Sequence, residues 1–129
     1  SLPAMDTLPE HLARAILFAV GLIAALVLWA LPPAEGALLL HHQFLIAVLA
    51  AALLGAALFR GIRPAVVVAG LLSQAGFVGI ALATPDFGPS TALYLNLAGM
   101  AALLCAGALL LAAARQQARW DGQRPQRSS

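Results

Sequence analysis

The chain has 129 residues, 62% of them hydrophobic and 9% charged, with seven arginines, no lysine and a formal net charge of +2. A soluble domain of this size buries only about 60 to 70% of its chain surface, so this much apolar side chain cannot be hidden from water and lipid is the expected solvent. One cysteine, Cys105, excludes an intramolecular disulfide, and the arginines near span ends suit anionic lipid headgroups better than nucleic acid.

Four apolar runs, at residues 12–31, 37–59, 65–84 and 91–114, each approach the roughly 20 residues that cross a ~30 Å hydrocarbon layer. They predict an all-α integral membrane protein, an up-down bundle of four transmembrane helices forming one domain over residues 1–122. Thr7-Leu8-Pro9-Glu10 has the form of a capping box, which starts the first helix before the membrane. That run is expected to be retained rather than cleaved as a signal peptide. Asp6 and Glu10 precede it, it is long for a signal core, and Leu31-Pro32-Pro33 lacks the small residues of a cleavage site. Trp29 fits an outer headgroup belt, Pro32-Pro33 stops the helix, and Glu35 suits the positive end of the second.

Gly61 between Arg60 and Arg63, followed by Pro64, predicts a tight turn and restart. Thr84 to Ser90 contains two prolines and a glycine and reads as the next turn, with Phe87 a belt residue and Ser90 or Thr91 capping helix four. Helix four is expected to run past the bilayer, with Trp120 at the inner interface and Asp121-Gly122 as its end. Residues 123–129 read as a disordered basic tail.

Arg14 opens the first span, Arg60 and Arg63 separate the second and third, and Arg115, Arg119, Arg124 and Arg127 follow the fourth. The other two connectors carry only Glu35 and Asp86. Basic residues near span ends are retained inside, so both termini and the middle turn are expected to be cytoplasmic. Arg60, Arg63, Arg115 and Arg119 are the expected lipid-headgroup contacts.

Helix association in lipid relies on close approach of small residues and a few interhelical hydrogen bonds. Ala75, Gly79 and Ala83, with Gly76 beside them, form such a stripe in span three. Ala98, Ala102 and Ala106 repeat it in span four, and Ala51 with Gly55 in span two. These are expected to draw helices two, three and four together.

His41, His42, Gln43, Ser73, Gln74, Tyr94 and Asn96 are the polar residues inside the spans from which a ligand site could be built, and intramembrane polar groups usually face a bundle interior. If they converge, helices two, three and four enclose a pocket opening outward and span one is peripheral. Otherwise the amides are simple interhelical bridges and the histidines hydrogen-bonded interface residues. Adjacent histidines point about 100° apart and do not chelate one ion as an i, i+4 pair can. Spans one, three and four contain no histidine, and His11 lies at the opposite membrane face, so a haem would need a second chain. No metal or other cofactor is therefore expected. Catalysis is not expected either: no phosphate-binding glycine loop, paired cysteines or paired carboxylates occur, and no acid or lysine lies within a span. Without an internal repeat, an inverted-repeat transporter within one chain is not expected.

Four short spans, an arginine-bearing inner turn in Phe59-Arg60-Gly61-Ile62-Arg63 and an alanine-rich last span resemble the layout of the DoxX-like group of small bacterial membrane proteins. Together these features lead to an expected non-enzymatic subunit or accessory protein of a membrane complex. It would sit in a bacterial inner membrane, with lipids and another membrane protein or a second copy as partners. The alternatives are a small-molecule or lipid carrier built on the polar set, and a redox-complex anchor placing His41 or His42 near a cofactor.

Overall fold

A computed structural model of the chain describes residues 7–33, 35–85 and 90–123. It contains four α-helices, α1 Leu8–Ala30, α2 Ala37–Leu58, α3 Arg63–Ala83 and α4 Thr91–Gln123, and a single 3-10 turn at Arg60–Ile62. No strand occurs among the described residues. All four helices are long and apolar enough to cross a membrane, as the four apolar runs predict. Asp86, Phe87, Arg124, Arg127 and the tail beyond Gln123 lie outside the described residues.

Helix ends follow from local chemistry. Pro9 sits in the first turn of α1, where a missing amide hydrogen costs nothing, and Leu31 turns extended (φ −68°, ψ 142°) ahead of Pro32. Gly36 enters α2 with φ 95°, a left-handed conformation that a side chain would strain. Phe59 breaks out of helix at φ −112°, ψ 108°, and Pro64 opens α3. Thr84, extended before Pro85, returns its hydroxyl to the Ile80 carbonyl at 2.7 Å. The Ser90 hydroxyl accepts from the Leu93 amide at 3.2 Å and caps α4.

One local expectation is corrected: Thr7 makes no side-chain cap bond, and Glu10 pairs with Arg60 rather than with the cap amide. α4 runs through Asp121-Gly122 to Gln123, the last described residue. There the Gln117 amide donates to Asp121 Oδ1 at 3.3 Å, a bond across one turn that supports the helix. At 33 residues α4 is about 50 Å long and overshoots a ~30 Å hydrocarbon layer by several turns.

Packing runs in the order α2, α1, α4, α3: α1 lies between α2 and α4, α4 between α1 and α3, and α2 meets α3 only sparsely. α1 is therefore central rather than peripheral. The reason is a continuous buried stripe on it, Glu10, Ala13, Leu17 and Gly21, at helical spacing. The core formed by Ala13, Leu17, Leu53, Ala56, Ala57, Val67, Leu103 and Ala106 sits toward the end that carries the arginines, the basic end. Beyond Gly21 in α1, before Ala50 in α2 and before Leu103 in α4 no described residue is buried. In α3, Gln74 and Ala81 alone are buried beyond Gly70. The bundle is tightly packed at its basic end and open at the other.

Glycines at helix crossings make that packing possible. A β-carbon on Gly21 would stand 3.0 Å from Leu54 Cγ and 3.2 Å from Leu53 Cβ, and one on Gly70 would stand 2.8 Å from Leu103 Cδ1. The expected stripe of span three is not used this way. Ala75, Gly76, Gly79 and Ala83 are all exposed, and nothing comes within 4 Å of a β-carbon built on Gly76 or Gly79. In α4 only Ala106 of the Ala98, Ala102, Ala106 series is fully buried, with Ala102 half-buried and Ala98 exposed. In α2 Ala51 is exposed and Gly55 half-buried. The chain contains two phases of small residues, and the helices meet on the one that includes Gly21 and Gly70.

Candidate functional site

The polar chemistry of the described residues concentrates at the basic end. Glu10, 6% exposed, projects from the first turn of α1, where a carboxylate is favoured by the helix dipole. Its Oε1 accepts from Arg60 Nε at 2.9 Å and lies 2.7 Å from Nη2, joining the start of α1 to the α2–α3 turn across 50 residues of sequence. Glu10 Oε2 is buried with no hydrogen-bond partner, so the carboxylate is held through one oxygen.

Arg63, the first residue of α3, is 2% exposed, and its guanidinium closes the end of α2. Nε donates to the Ala56 carbonyl at 2.8 Å and Nη2 to the Ala57 carbonyl at 3.0 Å. Those carbonyls lie in the last turn, where a helix has no amides of its own to offer and carries a partial negative charge. A buried cation is favoured there because two of its nitrogens find carbonyl acceptors in that turn, while Nη1 is buried with no hydrogen-bond partner.

Arg60 and Arg63 thus both tie elements of the bundle together, Arg63 from a buried position inside it and Arg60 from its surface. Because the Arg60 side chain remains 42% exposed, its pair with Glu10 is screened and contributes about 1 kcal/mol. A double-mutant cycle with Glu10→Gln and Arg60→Gln, followed by unfolding in mixed micelles, is expected to give a coupling energy of that size. A coupling near zero would mean that the two side chains act independently.

The polar residues inside the spans do not converge. His41, His42 and Tyr94 are exposed near the ends of their helices far from the basic end, and Ser73 is exposed on α3. Gln43 Nε2 donates to the Pro32 carbonyl at 3.0 Å and ties α2 to the preceding turn. Asn96 Nδ2 donates at 2.8 Å to Ala92 O within its own helix. Gln74 alone is an interhelical residue. It is 8% exposed, and its amide lies over Gly99 so closely that a β-carbon there would stand 3.1 Å from its Cδ. Its Oε1 is buried with no hydrogen-bond partner.

An amide whose oxygen is left unsatisfied contributes little to stability, so Gln74→Met, of similar length and shape, is expected to change unfolding stability by less than about 1 kcal/mol or to raise it. A loss of ~2 kcal/mol or more would show that the amide makes bonds worth keeping.

Two open surface grooves flank α1 at the basic end. One, about 400 Å³, is lined by His11, Arg14, Ala15, Phe18, Ala57 and Leu58 between α1 and α2. The other, about 370 Å³, is lined by Pro9, Ala112, Arg115, Gln116 and Arg119 between α1 and α4. Arg14, absent from the expected headgroup set, thus occupies a site comparable to that of Arg115 and Arg119. Its place at the mouth of the first span was a signal for this. Among the described residues no group of three or more His, Cys, Asp or Glu is placed to hold a metal ion. Cys105 is exposed on α4.

No family model, curated protein or solved structure matches this chain, so the likeness to the DoxX-like group rests on the layout of its spans.

Proposed function

We propose that this protein acts through contacts between its transmembrane helices and those of a partner, as a non-enzymatic subunit or accessory protein of a membrane complex. Its basic end would face the cytoplasm of a bacterial cell. The observation that carries this reading is the uneven packing. The half of the bundle away from the arginines contains almost no buried residue among those described, and in it α3 presents Ala75, Gly76, Gly79 and Ala83 exposed, with open space at both glycines. Small-residue faces of this spacing are what membrane helices use to approach one another closely, and another membrane protein or a second copy of this chain would complete the open half. The scattered positions of His41, His42, Gln43, Tyr94 and Asn96 favour this reading over a carrier built on them.

Native mass spectrometry of the gently extracted protein tests the proposal. A stoichiometric second copy or partner chain is expected. It should be lost when Gly76 and Gly79 are both replaced by leucine, while helix content stays unchanged, because both positions are open. A monomer free of any partner chain, or an assembly indifferent to the double substitution, would contradict it.

A further inference from the structure

We propose that the groove between the start of α1 and the last turns of α4 binds the phosphate of an anionic phospholipid, as a built site rather than through diffuse surface charge. Its walls are Pro9 and Ala112, and its rim carries Arg115, Gln116 and Arg119. Arg115 and Arg119 are one turn apart and project from the same face of α4, so two guanidinium groups and one amide can close on a single phosphate. Both arginines are exposed, and neither forms an ion pair or side-chain hydrogen bond with any described residue. The described acids at this end are otherwise engaged: Glu10 holds Arg60, and Asp121 accepts from Gln117. The groove therefore presents two guanidinium groups that no described residue pairs.

Depth points to a lipid rather than to a soluble anion. Counting from Thr91 at ~1.5 Å per residue, Ala112 lies about 32 Å along α4, where the helix leaves a hydrocarbon layer ~30 Å thick. Arg115, about 36 Å along, then stands in the headgroup layer, and Arg119, one turn further out at about 42 Å, reaches back to it through its long side chain, with Pro9 and Ala112 facing the glycerol and upper acyl chain. Trp120, 62% exposed and next to Arg119, lies within side-chain reach of the same groove.

That tryptophan provides the test. The full chain carrying Trp29→Phe, so that Trp120 is the remaining tryptophan, is reconstituted in phosphatidylcholine vesicles containing brominated phosphatidylglycerol or brominated phosphatidylcholine. Quenching of Trp120 reports which lipid occupies the neighbourhood. Brominated phosphatidylglycerol is expected to quench at lower mole fraction. The preference should fall about fivefold for each of Arg115→Gln and Arg119→Gln, and be partly kept by lysine at both positions. Arg14→Gln, in the other groove, should leave it unchanged, and millimolar inorganic phosphate should not displace the lipid. Equal quenching by the two lipids, an equal loss with Arg14→Gln, or displacement by phosphate would each overturn the proposal. Circular dichroism of each variant verifies that the helices are retained.

Discussion

Replacing Arg63 with methionine is expected to lower the stability of the bundle by about 3 kcal/mol, more than any other single arginine substitution. Methionine keeps the length and apolar stem of the side chain but removes the donors to Ala56 and Ala57. The last turn of α2 then ends on carbonyls buried without partners, in a region where Ala56 and Ala57 are 0% and 1% exposed and water cannot substitute. The same substitution at Arg115, exposed and unpaired, is expected to change stability by less than about 0.5 kcal/mol. Unfolding in mixed micelles with increasing denaturing detergent measures both. A cost below about 1 kcal/mol at Arg63 would show that the carbonyls find other donors.

A second large effect is expected from Gly21→Leu, set against the same change at Gly76. Leu53 Cβ, 3.2 Å from the site of the new β-carbon, is fixed to its backbone, and Leu53 is 0% exposed, so it cannot turn aside. Relief requires α1 and α2 to move apart along their most extensive contact, and overpacking of this kind costs about 1–3 kcal/mol, here toward the upper end. At Gly76 nothing lies within 4 Å, and leucine there is expected to leave the isolated bundle's stability unchanged. The same unfolding experiment decides between them. Equal sensitivity at both positions would mean that the two sites are packed alike, contradicting the crowding found at Gly21 and the open space at Gly76.

The helices themselves were legible because lipid imposes a simple requirement, some twenty apolar residues per crossing, and because Pro32, Pro64 and Pro85 mark their ends. Their arrangement was not. Small residues recur in more than one phase on alanine-rich helices, so the spacing of Ala75, Gly79 and Ala83 looks like a packing stripe although these residues are exposed, while α1 packs on Glu10, Ala13, Leu17 and Gly21, a set that small-residue spacing does not single out. Choosing between them needs the partner helix, which spacing along one helix does not encode. The arginines divide in the same way. Positive charge at a span end assigns a side of the membrane, and in that respect Arg14, Arg60, Arg63, Arg115 and Arg119 are alike. Whether a guanidinium faces headgroups or the carbonyls at the end of a neighbouring helix depends on tertiary position. For Arg63 that position is set by the single 3-10 turn between α2 and α3. Glu10 misled for a related reason: its spacing from Thr7 fits a capping box, but a guanidinium 50 residues away in sequence is a stronger partner than a backbone amide. The polar residues of the spans were easy to find, yet Gln43 and Asn96 satisfy their amides on nearby backbone, so their presence did not imply a shared pocket.

The central claim, four crossings with every arginine-bearing end on one side, is tested most directly by thiol labelling in sealed vesicles of one orientation, with Cys105→Ala as background. Gly61→Cys in the α2–α3 turn and Gln116→Cys in α4 are expected to react with a membrane-impermeant maleimide from the same face. Glu35→Cys, in the connector between α1 and α2, should react only from the opposite face. Labelling of Gly61→Cys and Gln116→Cys from opposite faces would contradict the topology.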